Sequence, residues 1–121
     1  MPTREVPRDK WVKFFRTFTK NHEGWLISLG VRGREPGHET VDIAARDLPL
    51  REIAADLKDN EHTVVITLRA HDDDLLRHVV SNVSRVRLTR TKEGTDSALR
   101  IESTNSQTTT LKLNAPVSAP S

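Results

Sequence analysis

No cysteine occurs anywhere in the 121 residues. Disulfides, thiol nucleophiles and cysteine-based zinc or iron–sulfur centres are therefore excluded. Apolar side chains are also scarce, at 35% with only five glycines beside them, against about 45–50% with glycine included in an ordinary domain. The core is expected to be thin: a sheet covered on one side or a small barrel. No aromatic follows Trp25, so the C-terminal strands have no base-stacking platform of the kind that single-strand readers use. No apolar run approaches the ~20 residues that span a bilayer. The first ten residues, MPTREVPRDK, are charged with no apolar run after them, so no signal peptide is visible. A soluble cytoplasmic protein without a membrane span is expected.

Enzyme motifs are equally sparse. The glycines of GVRGREPG do not fit G-x-G-x-x-G and are followed by a proline-bearing loop, and neither a P-loop nor a G-x-S-x-G elbow occurs. Asp59, Glu61 and His62 fall in a turn-like stretch that suits solvated side chains. The balance leans away from catalysis, and no cofactor is implied.

What is present is a charge pattern. The net charge of +2 divides into +5 over residues 1–34 (eight basic, three acidic), −6 over 35–82 (five basic, eleven acidic) and +3 over 83–121 (six basic, three acidic). Whether the two basic ends meet on one surface decides how far a polyanion partner is favoured.

Periodicity supplies the elements. Trp11, Phe14, Phe15 and Phe18 stand at i, i+3, i+4 and i+7, which predicts an amphipathic helix over about 7–21, with Pro7 at its start and Gly24 past its end. Its polar side carries Arg8, Lys10, Lys13, Arg16 and Lys20. A basic helix with aromatics resembles a membrane-surface anchor, but no other segment could cover the sheet, so the helix reads as the lid of the core. Strands follow at WLISLGV, TVDIAAR and TVVITLR, with RGREPGHE as a loop. Residues 49–58 fit either a helix (Leu50, Ile53, Ala54, Leu57) or a strand (Ile53, Ala55, Leu57), and the turn-like KDNEH after them favours a hairpin. DDDLLRHVVSN reads as a short helix on an apolar face of Leu75, Leu76, Val79 and Val80. RVRLTRT, ALRIES and TTTLKLN read as three further strands, and APVSAPS as a disordered tail. The chain is expected to form one compact domain over 1–114, with the tail at 115–121.

The segment HDDDLLRH invites a metal reading. On one continuous helix His71, Asp74 and His78 share a side, and two imidazoles with a carboxylate suit zinc or non-haem iron. Capping explains more of the residues. Asp72 sits at an N-cap, Asp73 and Asp74 in the first turn favour the helix dipole, and His78 lies opposite the apolar stripe.

Arg85, Arg87, Arg100 and Lys112 alternate with apolar residues on the C-terminal strands and could form a basic stripe able to meet phosphates. Exposed strand edges such as QTTTLKLN, little protected by charge, could support self-association.

Several stretches together resemble a bacterial family, domain-of-unknown-function family 5335: PRDKW (7–11), HEGWL (22–26), ARDLPLREIAADLKD (45–59), DDDLLRH (72–78), RVRLTRTKEG (85–94) and LRIES (99–103). The resemblance covers roughly residues 3–113. It implies a single compact bacterial domain and carries no activity, ligand or site residue. The sequence as a whole predicts an α+β domain: an N-terminal helix packed on an antiparallel, strongly twisted sheet or small β-barrel of about six to seven strands, with a short helix between strands. The expected role is a non-catalytic binding or assembly module, then a sequence-independent nucleic-acid binder, then a metal-dependent activity at HDDDLLRH.

Overall fold

The computed structural model describes residues 3–35, 38–56, 62–70, 74–104 and 107–114. After a first strand, β1 (Thr3–Val6), a 3-10 turn over Arg8–Lys10 leads into α1 (Trp11–His22). The strands β2 (Leu26–Glu35), β3 (His38–Asp56), β4 (Thr63–Arg69), β5 (Leu75–Val80), β6 (Val83–Arg90), β7 (Asp96–Ser103) and β8 (Thr108–Asn114) follow. All pairings are antiparallel. They build one sheet of eight strands in the order β1-β6-β7-β8-β2-β3-β4-β5. The sheet is open, so the α+β class holds, while the barrel and the count of six to seven strands are corrected.

Helix α1 is the lid the periodicity predicts. Trp11, Phe15 and Phe18 are buried to 1%, 0% and 3% exposure, each contributing about 1.5–3 kcal/mol by leaving water. They pack on the inward residues of the sheet, among them Ile27 and Leu29 of β2, Leu99 and Ile101 of β7 and Leu111 of β8. Its aromatic face is thus turned into the core, and Val12, 43% exposed, is the large aliphatic residue it leaves in solvent. The chain enters it through Pro7, whose carbonyl accepts the Lys10 N–H at 2.9 Å. It leaves through Gly24 at φ +85°, a left-handed position glycine takes without strain.

Strand β3 organises the two halves of the sheet. Its nineteen residues outrun β2: the first part pairs with β2 as far as Pro49, and from Leu50 onward it pairs with β4. Beyond the end of β2 its inner edge needs other partners, since a buried backbone group without one costs free energy. Leu50 finds them just before β2, accepting the Gly24 N–H at 3.0 Å and donating to the Trp25 carbonyl at 2.8 Å. Ile53 finds them on the helix: its N–H donates to Thr19 Oγ1 at 2.9 Å, and that hydroxyl donates to the Ile53 carbonyl at 3.1 Å. One threonine thus stands in for a missing strand.

The same C-terminal turn of the lid is also tied to the β6–β7 hairpin. His22, 5% exposed, holds the Phe18 carbonyl at 2.8 Å through Nδ1 and the Asp96 carboxylate at 2.9 Å through Nε2. Its ring stacks on Phe18 at 4.0 Å between centroids, and Arg90 Nε donates to the far oxygen of Asp96 at 2.9 Å.

The structure corrects three further expectations, while the strand favoured within residues 49–58 is found. The helix over DDDLLRHVVSN is a strand from Leu75, its Val79 and Val80 set opposite Val65 and Val64 of β4. Residues 50–56 lie on β3, and the register shift between Leu50 and Glu52 explains the ambiguity. A bulge inserts one residue, so Leu50 and Ile53 both point inward three positions apart, as they would on a helix. QTTTLKLN is not an edge: β8 is paired on both sides, with β7 and β2, and the sheet ends are β1 and β5. The loop expected at RGREPGHE is also shorter, since pairing continues to Glu35 and His38.

Replacing Thr19 by Val keeps the shape but strands both Ile53 backbone groups. Urea unfolding is expected to show a loss of about 1–3 kcal/mol, and a loss under about 0.5 kcal/mol, the range of neutral surface changes, would refute the bridge.

Candidate functional site: the outer face of the sheet

Residues of one strand alternate between the helix-covered side and the solvent side, and on β6, β7 and β8 the cations take the solvent side. Arg87 lies directly opposite Arg100, Arg85 opposite Glu102, and Lys112 opposite Ala98. The four expected phosphate contacts therefore do share one face. They are not electrically alike. Arg85 Nε lies 2.9 Å from Glu5 Oε1, and Arg87 Nε lies 4.0 Å from the same oxygen. Glu102 Oε2 stands 3.9 Å from Arg85 Nε and 3.8 Å from Arg87 Nε. Two carboxylates thus offset two guanidinium groups. Glu5 comes from β1, a four-residue strand not foreseen because its only buried residue is Val6. Such exposed pairs add little stability, but they cancel local charge.

Arg100 and Lys112 have no ion-pair partner among the described residues. Following their face inward, Thr110 of β8 lies opposite both Arg100 and Gly30 of β2, and Lys112 lies opposite Ser28. Gly30 has no side chain, so the sheet surface is bare backbone there. Around it lies an open depression of about 570 Å³, rimmed by Arg32, Arg46 and Lys112, with Ile43 as an apolar wall. Ile43 is 53% exposed, unusually open for a large aliphatic residue on a sheet.

Arg46 reaches this rim because β3 bulges against β2. The register slips between Ile27 and Leu29, and Asp47 takes a φ of +49°, which aspartate tolerates better than most residues. The Asp47 N–H donates to Ser28 Oγ at 3.2 Å, and that hydroxyl donates to Asp47 Oδ1 at 3.4 Å. Bulges re-aim side chains in this way beside many sites. The depression brings Arg46 and Lys112 together beside the Asp47 carboxylate, with Arg32 also on its lining. Arg46, Gly30 and Ile43 carry no signal in the sequence, since only the irregular β2–β3 register and the β2–β8 pairing bring them together with Lys112.

The cations of α1 lie elsewhere. Lys10, Lys13, Arg16 and Lys20 are exposed on the helix, which covers the opposite side of the sheet. The helix cations of the N-terminal stretch therefore lie on the other face, while its Arg32 lines the same depression as Lys112.

The other sequence-derived constellation falls at β5. His71 lies outside the described residues. Asp74 is exposed ahead of β5, its carbonyl accepting the Ala70 N–H at 2.7 Å, and His78 is half-buried opposite Ile66. Four extended residues separate their Cα atoms by about 13 Å, where a helix would have set them one turn apart. No group of three possible ligands gathers among the described residues. Burial pushes the His78 imidazole below its ordinary value by penalising the charged form.

No family model, curated protein or solved structure matches the chain. No helix among the described residues is long and apolar enough to cross a membrane.

A lowered folded-state pKa means that the unfolded chain takes up the proton first as pH falls. The contribution of His78 is thus undiminished above about pH 6.5 and is lost as pH drops from there through the lower folded value. The loss of unfolding free energy between about pH 7 and pH 5 is expected to be smaller in His78→Leu than in the wild type; equal losses would contradict the assignment.

Proposed function

We propose that the protein is a binding module, non-catalytic in itself, whose outer sheet face takes an anionic ligand. The observation that carries this is the group of Arg100, Lys112 and Arg46, which have no ion-pair partner among the described residues and lie on one face around the bare backbone of Gly30. Cations gathered without carboxylate partners raise the local potential and favour a negatively charged visitor. Among the described residues the face supplies charge and hydroxyls but no exposed aromatic, which fits recognition of phosphate or carboxylate groups rather than of bases. A cytoplasmic setting and membership of family 5335 are proposed alongside, the latter on the stretches from PRDKW to LRIES.

A second reading, assembly with another copy of this chain, has its own support at β5. This strand ends the sheet, and its outward residues Leu75 and Val79 are 53% and 52% exposed. Arg77 is the only charge on the strand, whereas sheet edges are usually guarded more heavily. Val65 and Ala54 continue the Val79 row across β4 and β3.

Two measurements test these readings. Fluorescence anisotropy with a labelled oligothymidylate is expected to show affinity falling about 100-fold for a tenfold rise in salt, the slope for roughly three neutralised phosphates. Arg100→Glu with Lys112→Glu should abolish binding, and Arg85→Glu with Arg87→Glu should weaken it far less. Salt-independent binding, or the reverse order of the two variants, would overturn the outer-face reading. For assembly, sedimentation should give a dimer or larger that Leu75→Lys with Val79→Lys converts to monomer; a monomeric wild type at high concentration would exclude it.

A further inference from the structure

Resting on the anion-binding reading of the same face, we propose that the depression over Gly30 is a site for a small organic phosphate, a compact dianionic head carrying an apolar body. Three observations define that ligand. The space is bounded: about 570 Å³ lies within the ~300–1,000 Å³ of ordinary small-molecule sites. The charge is bounded too. Towards β6 and β1, Arg85 and Arg87 are offset by Glu5 and Glu102, so a long polyanion tracking the sheet would leave attractive potential within a few strands of Gly30. The lining is two-sided. Arg46 and Lys112 stand at the rim, with the Thr110 hydroxyl between strands and the Ser28 hydroxyl tied to Asp47, while Ile43 offers an exposed apolar wall.

The chemistry follows from those partners. A phosphate monoester brings two negative charges and three acceptor oxygens, which an arginine fork and a lysine ammonium can share. A glycine floor lets the ligand approach the sheet as closely as van der Waals contact allows. Ile43 then covers the body of the ester, whose burial removes apolar surface on both partners from water.

The test is a titration followed by two-dimensional NMR at low salt, using 1-naphthyl phosphate, inorganic phosphate and 1-naphthol as separate probes. Saturable 1:1 binding of the ester is expected, centred on residues 28–32 and 110–112, with each half-ligand at least tenfold weaker. Gly30→Val should abolish ester binding, and valine suits a strand. Ile43→Asp and Arg46→Glu, at exposed positions, should each weaken the ester tenfold or more with the melting temperature unchanged. If the ester fails to bind or its shifts fall elsewhere, while the oligothymidylate still binds through Arg100 and Lys112, the site proposal is wrong and the anion-binding face stands. If neither probe binds, both fall.

Discussion

Strand β3 must satisfy two sets of neighbours, and most of the molecule is arranged around that requirement. Its first part needs β2 on one side; its second part needs β4 on the other and has lost β2 by then. A strand left half-paired in a buried position would cost about 1–3 kcal/mol for each stranded group. The chain answers with the end of the lid: Trp25 and Gly24 serve Leu50, and Thr19 serves Ile53 in both directions. The helix is therefore held by more than its aromatic face. Its backbone-directed hydroxyl fixes where along β3 it sits, and the His22–Asp96 contact ties the same C-terminal turn to the β6–β7 hairpin.

The same strand shapes the outer face. Its three register shifts, two against β2 and one against β4, re-aim the side chains around them. The shift near Leu50 turns Ile53 inward to meet the helix, and the bulge at Asp47 brings Arg46 out beside Gly30. Fold and candidate site thus depend on one element, and a change in β3 register would disturb both, because a slip of one residue exchanges the two faces of a strand.

Much of this was legible in the sequence. The lid helix, the antiparallel α+β class and the strands β2, β4 and β6 to β8 follow from periods of 3.6 and 2 that the structure preserves. The exceptions share a cause. Leu75, Leu76, Val79 and Val80 imitate a helical stripe because β5 is an edge strand, and its outward positions hold apolar residues where a solvated face would hold polar ones. Local pattern cannot register that pairing with Val64 and Val65 decides the outcome. β1 was invisible for the opposite reason, being four residues long with one buried side chain. The basic stripe was legible as an alternation, but its neutralisation was not, since Glu5 is some eighty residues from Arg85 in the chain.

Positive charge survives on the outer face where the strand order leaves cations without an ion-pair partner among the described residues. Arg85 and Arg87 lie beside β1 and β7, which bring carboxylates at Glu5 and Glu102. Lys112 and Gly30 lie in the middle of the sheet, where the outward neighbours on β8 and β2 include Thr108, Thr110 and Ser28. Hydroxyls can donate to an anion but cannot cancel a cation. The strand order, more than the number of basic residues, therefore decides where positive potential remains. The pI near 9.3 says little by itself, because the helix cations face away and half of the expected sheet cations are already paired. What remains is a small, off-edge concentration of charge over bare backbone, and a surface of that form selects for a compact anion.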